Sequence, residues 1–190
     1  MTRIHRTDAA FAKVFGRYPP SAGLEFIDAF GNLAALDAKR TAFFCSAKCP
    51  GKIILRAYDA ATRWREEGGI IVSGFHSPVE RDCLRILLRG KQPIIICPAR
   101  TLDGFRVPEE WQPALDADRL LVLSPFAASA RRTSARLAAQ RNEFVASLAD
   151  EAVFAHTTSG GHTDRLRALL VAAGKPVRAL DSSTDFKLGA

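Results

Sequence analysis

The sequence predicts an α/β fold: a Rossmann-like three-layer sandwich with a mainly parallel sheet of about six strands, plus a short N-terminal helical segment. Three observations carry this. From residue 41 onward, short apolar runs alternate with stretches of helical length. The runs are continuously apolar, which suits strands covered on both faces. The chain has 190 residues and is 47% hydrophobic, enough for one domain with a buried core.

Residues 1–40 read as the helical segment and 41–190 as the main domain. Residues 9–15 predict a short helix, stopped by Gly16 and Pro19-Pro20. Ser21 suits the cap of a second helix with Leu24, Phe26, Ile27, Phe30, Leu33 and Leu36 as its apolar positions. The first strand is expected at 41–45, followed by a helix from Ile53 to Trp64 that ends at Gly68-Gly69. A strand at 70–74 precedes Ser77-Pro78, a helix start with proline in its first turn. That helix runs to Gly90. Strands at 93–97 and 119–123 follow, then a long helix over 130–149. A fifth strand at 151–155, a helix over 163–173 and a sixth strand at 176–180 complete the pattern. Ligands of such sheets sit outside the carboxyl ends of the strands, so the strand-to-helix loops are the informative places.

Composition narrows the partners. The formal net charge of +7, from 27 basic and 20 acidic residues, suits a polyanion. No apolar run reaches the roughly 18 residues of a membrane span. Met1 to Arg6 are basic with no apolar stretch behind them, so no signal peptide and a cytoplasmic location are expected. Cys45, Cys49, Cys83 and Cys97 lack zinc-ligand spacing and read as buried thiols in a reducing compartment, so no metal is expected.

Five loops follow the strands. Ser46 and Lys48 after the first make either an anion cradle or an ordinary turn with a surface lysine. Ser73, Gly74, Phe75 and His76 follow the second. Gly74 permits close backbone approach, while Ser77 and Glu80 form a capping box that explains Glu80 without chemistry. Arg100 follows the third strand as a phosphate fork or a solvated arginine. After the fourth, Arg132 and Arg136 are expected on one helix face, with Arg141 further along. After the fifth, Ser159, Gly160, Gly161, His162 and Thr163 offer paired glycines, hydroxyls and a helix start. The alternative there is a plain glycine turn with Thr163 as cap. The expected site joins amides after Ser73 and after Ser159 with nearby arginines.

Several of these pieces occur in a familiar order: Ile71-Val72-Ser73-Gly74, Leu123-Ser124-Pro125, Gln140-Arg141-Asn142-Glu143, Ser159-Gly160-Gly161-His162-Thr163 and Gly174-Lys175-Pro176-Val177. Over about 41–180 the chain resembles the Rossmann-like domain of the DprA/Smf family of DNA-processing proteins, related to the wider LOG-type superfamily. The resemblance implies single-stranded DNA held in a basic pocket at this edge, a homodimer, and a RecA-type recombinase as partner. Arg141 and Asn142 match the start of the family's Arg-Asn-Arg, Ser73 and Gly74 its Ser-Gly turn, and Ser159 and Gly160 its later Ser-Gly. Ser46 fits the serine of its Gly-Ser-Arg, with Lys48 one position past the arginine. Glu143 stands where the motif has its second arginine. At this length no C-terminal winged helix is expected.

Three functions follow from these residues. The first is a single-stranded nucleic-acid binder in DNA processing or recombination, with phosphates on Lys48, Arg100, Arg132 and Arg141 and a base stacked on Phe75 or His76. The second is a small-nucleotide binder or a LOG-like nucleoside monophosphate phosphoribohydrolase. Leu166 stands where that motif needs a glutamate, and oxocarbenium chemistry needs a carboxylate. The third is a structural or regulatory protein using the N-terminal helices. No catalytic set and no cofactor fingerprint is complete, so binding without chemistry is the expectation.

Overall fold

The computed structural model describes residues 1–15 and 23–181. Eight strands form one sheet: β1 (Thr2–His5), β2 (Phe26–Gly31), β3 (Arg40–Cys45), β4 (Ile70–Ser73), β5 (Ile94–Ile96), β6 (Leu120–Ser124), β7 (Glu151–His156) and β8 (Val177–Ala179). Their order is β1-β2-β6-β5-β4-β3-β7-β8. The six from β6 to β8 are parallel, and they are the six strands expected from the apolar runs. Every residue of β3 through β6 is buried, which is why those runs do not alternate.

Helices cover both faces. On one lie α2 (Gly51–Glu67), α3 (Pro78–Leu88) and α4 (Gln112–Asp116), closing a core around Phe43, Trp64, Ile71 and Leu87. On the other lie α1 (Ala9–Val14), α5 (Ala135–Leu148) and α6 (His162–Ala172), packed over Phe44, Val72, Phe144 and Phe154. Short 3-10 turns occupy Leu33–Leu36 and Glu109–Trp111. Helix α2 ends as expected at Gly68, whose φ of 78° is the left-handed stop that glycine adopts without strain. Helix α5 starts later than expected. The Ser134 hydroxyl accepts from the Leu137 amide at 3.2 Å and fixes the first turn at Ala135. Arg132 therefore precedes the helix and shares no helical face with Arg136.

The N-terminal expectation needs the larger correction. The helix at 9–15 is present as α1, but the second helix is not. Phe26–Gly31 is a strand, antiparallel to β6, and Thr2–His5 adds an unforeseen strand outside it. The apolar spacing at 24–36 fits a helix, yet β6 offers an open edge whose backbone groups need partners. Asp28 then decides the matter. It is buried, and Arg3 directly opposite forks onto it with Nε at 2.7 Å and Nη2 at 2.9 Å. Gly16, Pro19, Pro20 and the proposed cap Ser21 lie outside the described residues. Among the described residues no helix is long and apolar enough to cross a membrane.

Candidate functional site

The chain reverses its winding between β3 and β7. The segment leaving β3 goes to α2 on one face, and the segment leaving β7 goes to α6 on the other. Their first residues part over the sheet edge, and such a divergence forms the ligand crevice of open α/β sheets. Here the two loops are tied together: the Ser46 amide donates to His156 O at 3.0 Å, and the Ser46 hydroxyl accepts from the Thr158 amide at 3.0 Å. Ser46 thus joins the loop of Ser159, Gly160 and Gly161.

Both helix starts at this crevice lack a side-chain cap. Pro50 precedes α2 and Gly161 precedes α6, and neither supplies an acceptor. The amides of Gly51, Lys52, His162 and Thr163 have no hydrogen-bond partner among the described residues. Free amides at helix starts carry partial positive charge and suit an anion. Lys48 and Lys52 are exposed beside them. The opening is partly closed from inside, because Asp164 reaches back to accept from Gly160 N at 3.1 Å and Thr157 Oγ1 at 3.1 Å. Thr163 is the second residue of α6 rather than its cap.

The turn after β4 is closed. Ser77 and Glu80 form the expected capping box, and Glu80 does more. One carboxylate oxygen accepts from the Cys45 amide at 2.9 Å, and the other from His76 at 2.8 Å and Ser77 at 3.1 Å. The amides of Phe75, His76, Ser77 and Glu80 are therefore already taken up by side chains of the turn itself. Ser73 is fully buried, with its hydroxyl accepting from Phe75 N at 3.1 Å. Phe75 is buried with a left-handed φ of 45°, so its ring offers no face to a base. Only His76 of this group is exposed.

Arg141 also departs from its expected place. It comes from α5, lies buried, and donates to Cys97 O at 3.1 Å and to the Asn142 side chain at 2.8 Å. Its guanidinium lies against Gly74: a Cβ built there would fall 1.3 Å from Nη1. Desolvation lowers its pKa, opposed by Glu80 and Cys97, so Arg141 ties α5 under the edge instead of standing on it. Asn142, half-buried, lines a cavity of about 170 Å³ with His162 and Arg165, between α5 and α6.

Further along the edge Arg100 and Arg132 are exposed, with Arg100 6.0 Å from the Phe105 ring. Burial raises the pKa of Cys45, Cys83 and Cys97, the last to about 12, and that of Cys49 also rises. Among the described residues no three His, Cys, Asp or Glu side chains gather to hold a metal. Sequence reasoning did not anticipate Asp164 or the three-amide role of Glu80. Both stand at the third position of a helix, and that spacing was the available signal.

The architecture is that of the Rossmann-like sandwiches, with a basic, amide-bearing carboxyl edge. Among solved structures the chain is similar to DNA processing protein A (DprA) from Streptococcus pneumoniae, at 19% identity and a TM-score of 0.69, covering 93% of this chain and 68% of that one. It is similar also to DNA processing protein A from Helicobacter pylori, whose structure was described for its single-stranded DNA binding mode, at 18% identity and a TM-score of 0.71, covering 97% and 82%. The chain has the DprA-like Rossmann-like fold. No family model and no curated protein sequence matches it.

Proposed function

We propose that the carboxyl edge of the sheet binds single-stranded DNA through its phosphates, in a DprA-like role in DNA processing or recombination. The observation that carries this reading is the pair of uncapped helix starts, α2 and α6, facing one crevice and joined through Ser46 and Thr158. Backbone N–H groups contact phosphate without regard to sequence, and Lys48 and Lys52 add the charge that draws a polyanion in. The net charge of +7 and the fold shared with the DprA proteins support the same reading. Ser46, Lys48, Ser159, Gly160, Gly161 and His162 form the contact surface, with His76, Arg100 and Arg132 beyond it. Ser73, Gly74, Phe75 and Arg141 support it from beneath. The reading extends to a cytoplasmic homodimer that serves a RecA-type recombinase.

A phosphoribohydrolase needs a carboxylate free in the crevice. Glu80 has both oxygens on backbone amides, and Asp164 is engaged by Thr157 and Gly160, so this alternative gains no support from either. The test is anisotropy of fluorescein-labelled dT12 from about 50 to about 200 mM salt. Saturable binding is expected, with log affinity falling by about 0.7 per log unit of salt for each phosphate neutralised. Absence of saturable binding at the lowest salt defeats the proposal, and equal affinity for a single thymidine nucleotide redirects it to a mononucleotide ligand.

A further inference from the structure

The loop between β3 and α2 carries two cysteines that the DNA reading leaves unused. Cys45 ends β3 and is buried, and Cys49 is half-buried just before Pro50, where α2 begins. We propose that Cys45 and Cys49 form a reversible disulfide, and that this bond weakens DNA binding at the β3–β7 crevice. The disulfide stands on the thiols alone, while its effect on DNA rests on the single-strand reading above.

Proximity carries the inference. Burial raises the pKa of both thiols, and a hydrogen bond between the two side chains raises that of Cys45 further while opposing the rise at Cys49. Sulfurs in hydrogen-bonding contact need only a small rotation to close to the disulfide distance of about 2.05 Å. Their other partners are weak: the Cys45 thiol donates to Ser46 O at 3.4 Å and the Cys49 thiol to Pro50 O at 3.8 Å. Of the four thiols only Cys49 is open to solvent, so it meets an oxidant first and Cys45 resolves the product.

A small disulfide such as oxidised glutathione supplies the oxidant. The Cys49 thiolate attacks one glutathione sulfur, and the glutathione thiolate that leaves takes up the proton lost from Cys49. The Cys45 thiol then gives up its proton, its sulfur attacks that of Cys49, and a second glutathione leaves with that proton. The protein loses two electrons and two protons, and one glutathione disulfide becomes two thiols. Raised pKa values keep the thiolates scarce, so the exchange is slow at neutral pH and quickens as pH rises. Asp181 facing Cys49, and Glu80 and Cys83 facing Cys45, add to that scarcity.

The ring that the bond closes contains Ser46 and Lys48. Ser46 is the tie between the two loops of the crevice, and Lys48 stands exposed at its mouth. Neither flank yields to the closure. Ile53 and Ala57 hold α2 in the core, and Glu80 holds the Cys45 amide at 2.9 Å. The strain therefore falls on residues 46–48, drawing Ser46 from the Thr158 amide and turning Lys48 away from the open amides of α2.

The experiment treats the full chain with oxidised glutathione at about pH 8, blocks the remaining thiols, and maps the tryptic peptides by mass. Trypsin cuts after Arg40, Lys48 and Lys52, so peptides 41–48 and 49–52 part unless Cys45 and Cys49 are bonded. Joined peptides are expected, and dithiothreitol should part them. Anisotropy of labelled dT12 on the same samples should show affinity about fivefold lower after oxidation, the worth of one hydrogen-bonded contact, and restored by dithiothreitol. C49S should bind dT12 like the reduced chain and lose the response to oxidant. Glutathione left on Cys49, or both thiols left free, overturns the disulfide. Joined peptides with unchanged dT12 affinity overturn the regulatory claim and leave the single-strand reading intact. Joined peptides with no dT12 binding in either state defeat the single-strand reading and the regulatory claim with it, while the disulfide stands.

Discussion

The turn after β4 and the crevice between β3 and β7 are built from the same ingredients and end in opposite states. Each has a serine, small residues, a helix start and a carboxylate at the third helical position. After β4, Ser77 and Glu80 take up the amides of Cys45, His76, Ser77 and Glu80, and Arg141 fills the space over Gly74. At the crevice, α2 and α6 begin at Pro50 and Gly161, which have no side-chain acceptor, and four amides stay open. Serines and glycines at a helix start thus do not define a phosphate site. The deciding factor is whether a side chain of the protein already occupies the donors.

The sharpest way to break the comparison is to open the closed turn. E80A removes the acceptor of three buried or half-buried amides, each worth about 1–3 kcal/mol when left unmade. A loss of about 3 kcal/mol is expected, read as a drop in Tm of roughly 6–12 °C. A shift under 2 °C would show that water replaces the carboxylate easily. G74A is next: its methyl group displaces the Arg141 guanidinium from Cys97 O, at about 1–3 kcal/mol in chemical denaturation. Stability equal to that of the parent means that Arg141 has another resting place.

A buried amine closes the opposite pole of α5. Lys175 donates to Ala146 O and Ala149 O at the end of that helix, and desolvation lowers its pKa from 10.5 to about 8. Between about pH 8 and 10.5 the unfolded chain holds this proton and the folded chain has released it, so this group makes stability rise with pH. Below about 8 both states are protonated and the slope vanishes. Buried thiols act the other way above about 9, since their raised pKa lets the unfolded chain lose protons first. The measurement is therefore the difference between the parent and K175M, which share the thiols. That difference should grow in favour of the parent from pH 8 to 10.5, and a flat difference contradicts the assignment.

The open crevice gives the smallest effect and the most direct contrast. D164N keeps an acceptor for the Gly160 amide and presents an NH2 donor to Thr157 Oγ1 in place of the second acceptor, while removing a negative charge from the α6 start, where a charge is worth about 0.3–1 kcal/mol. Affinity for dT12 should rise about two- to fivefold. Unchanged or weaker binding separates the DNA from α6.

The parallel sheet was legible in the sequence because burial on both faces makes its strands β3 to β6 continuously apolar, and the runs from Thr41 onward needed no long-range information. The Ser77–Glu80 box was legible for the same reason, as its parts lie within one turn. Phe26–Gly31 was not. Its apolar spacing fits a helix, and Arg3 and the edge of β6 are distant in sequence. Arg141 read as a surface cation because burial has no local sign, and its partner Cys97 O is 44 residues away.

Local chemistry in the chain thus determined which segments are strands of the parallel sheet, where most helices start and stop, and which loops gather at the carboxyl edge. Tertiary structure alone decided which donors in those loops stay open. That choice depends on side chains arriving from other elements, Arg141 onto Gly74 and Glu80 onto Cys45, and on Ser46 meeting Thr158 across 112 residues of sequence. A hydrogen-bonding group is free or filled only in relation to neighbours in space, and its own sequence neighbourhood does not contain them.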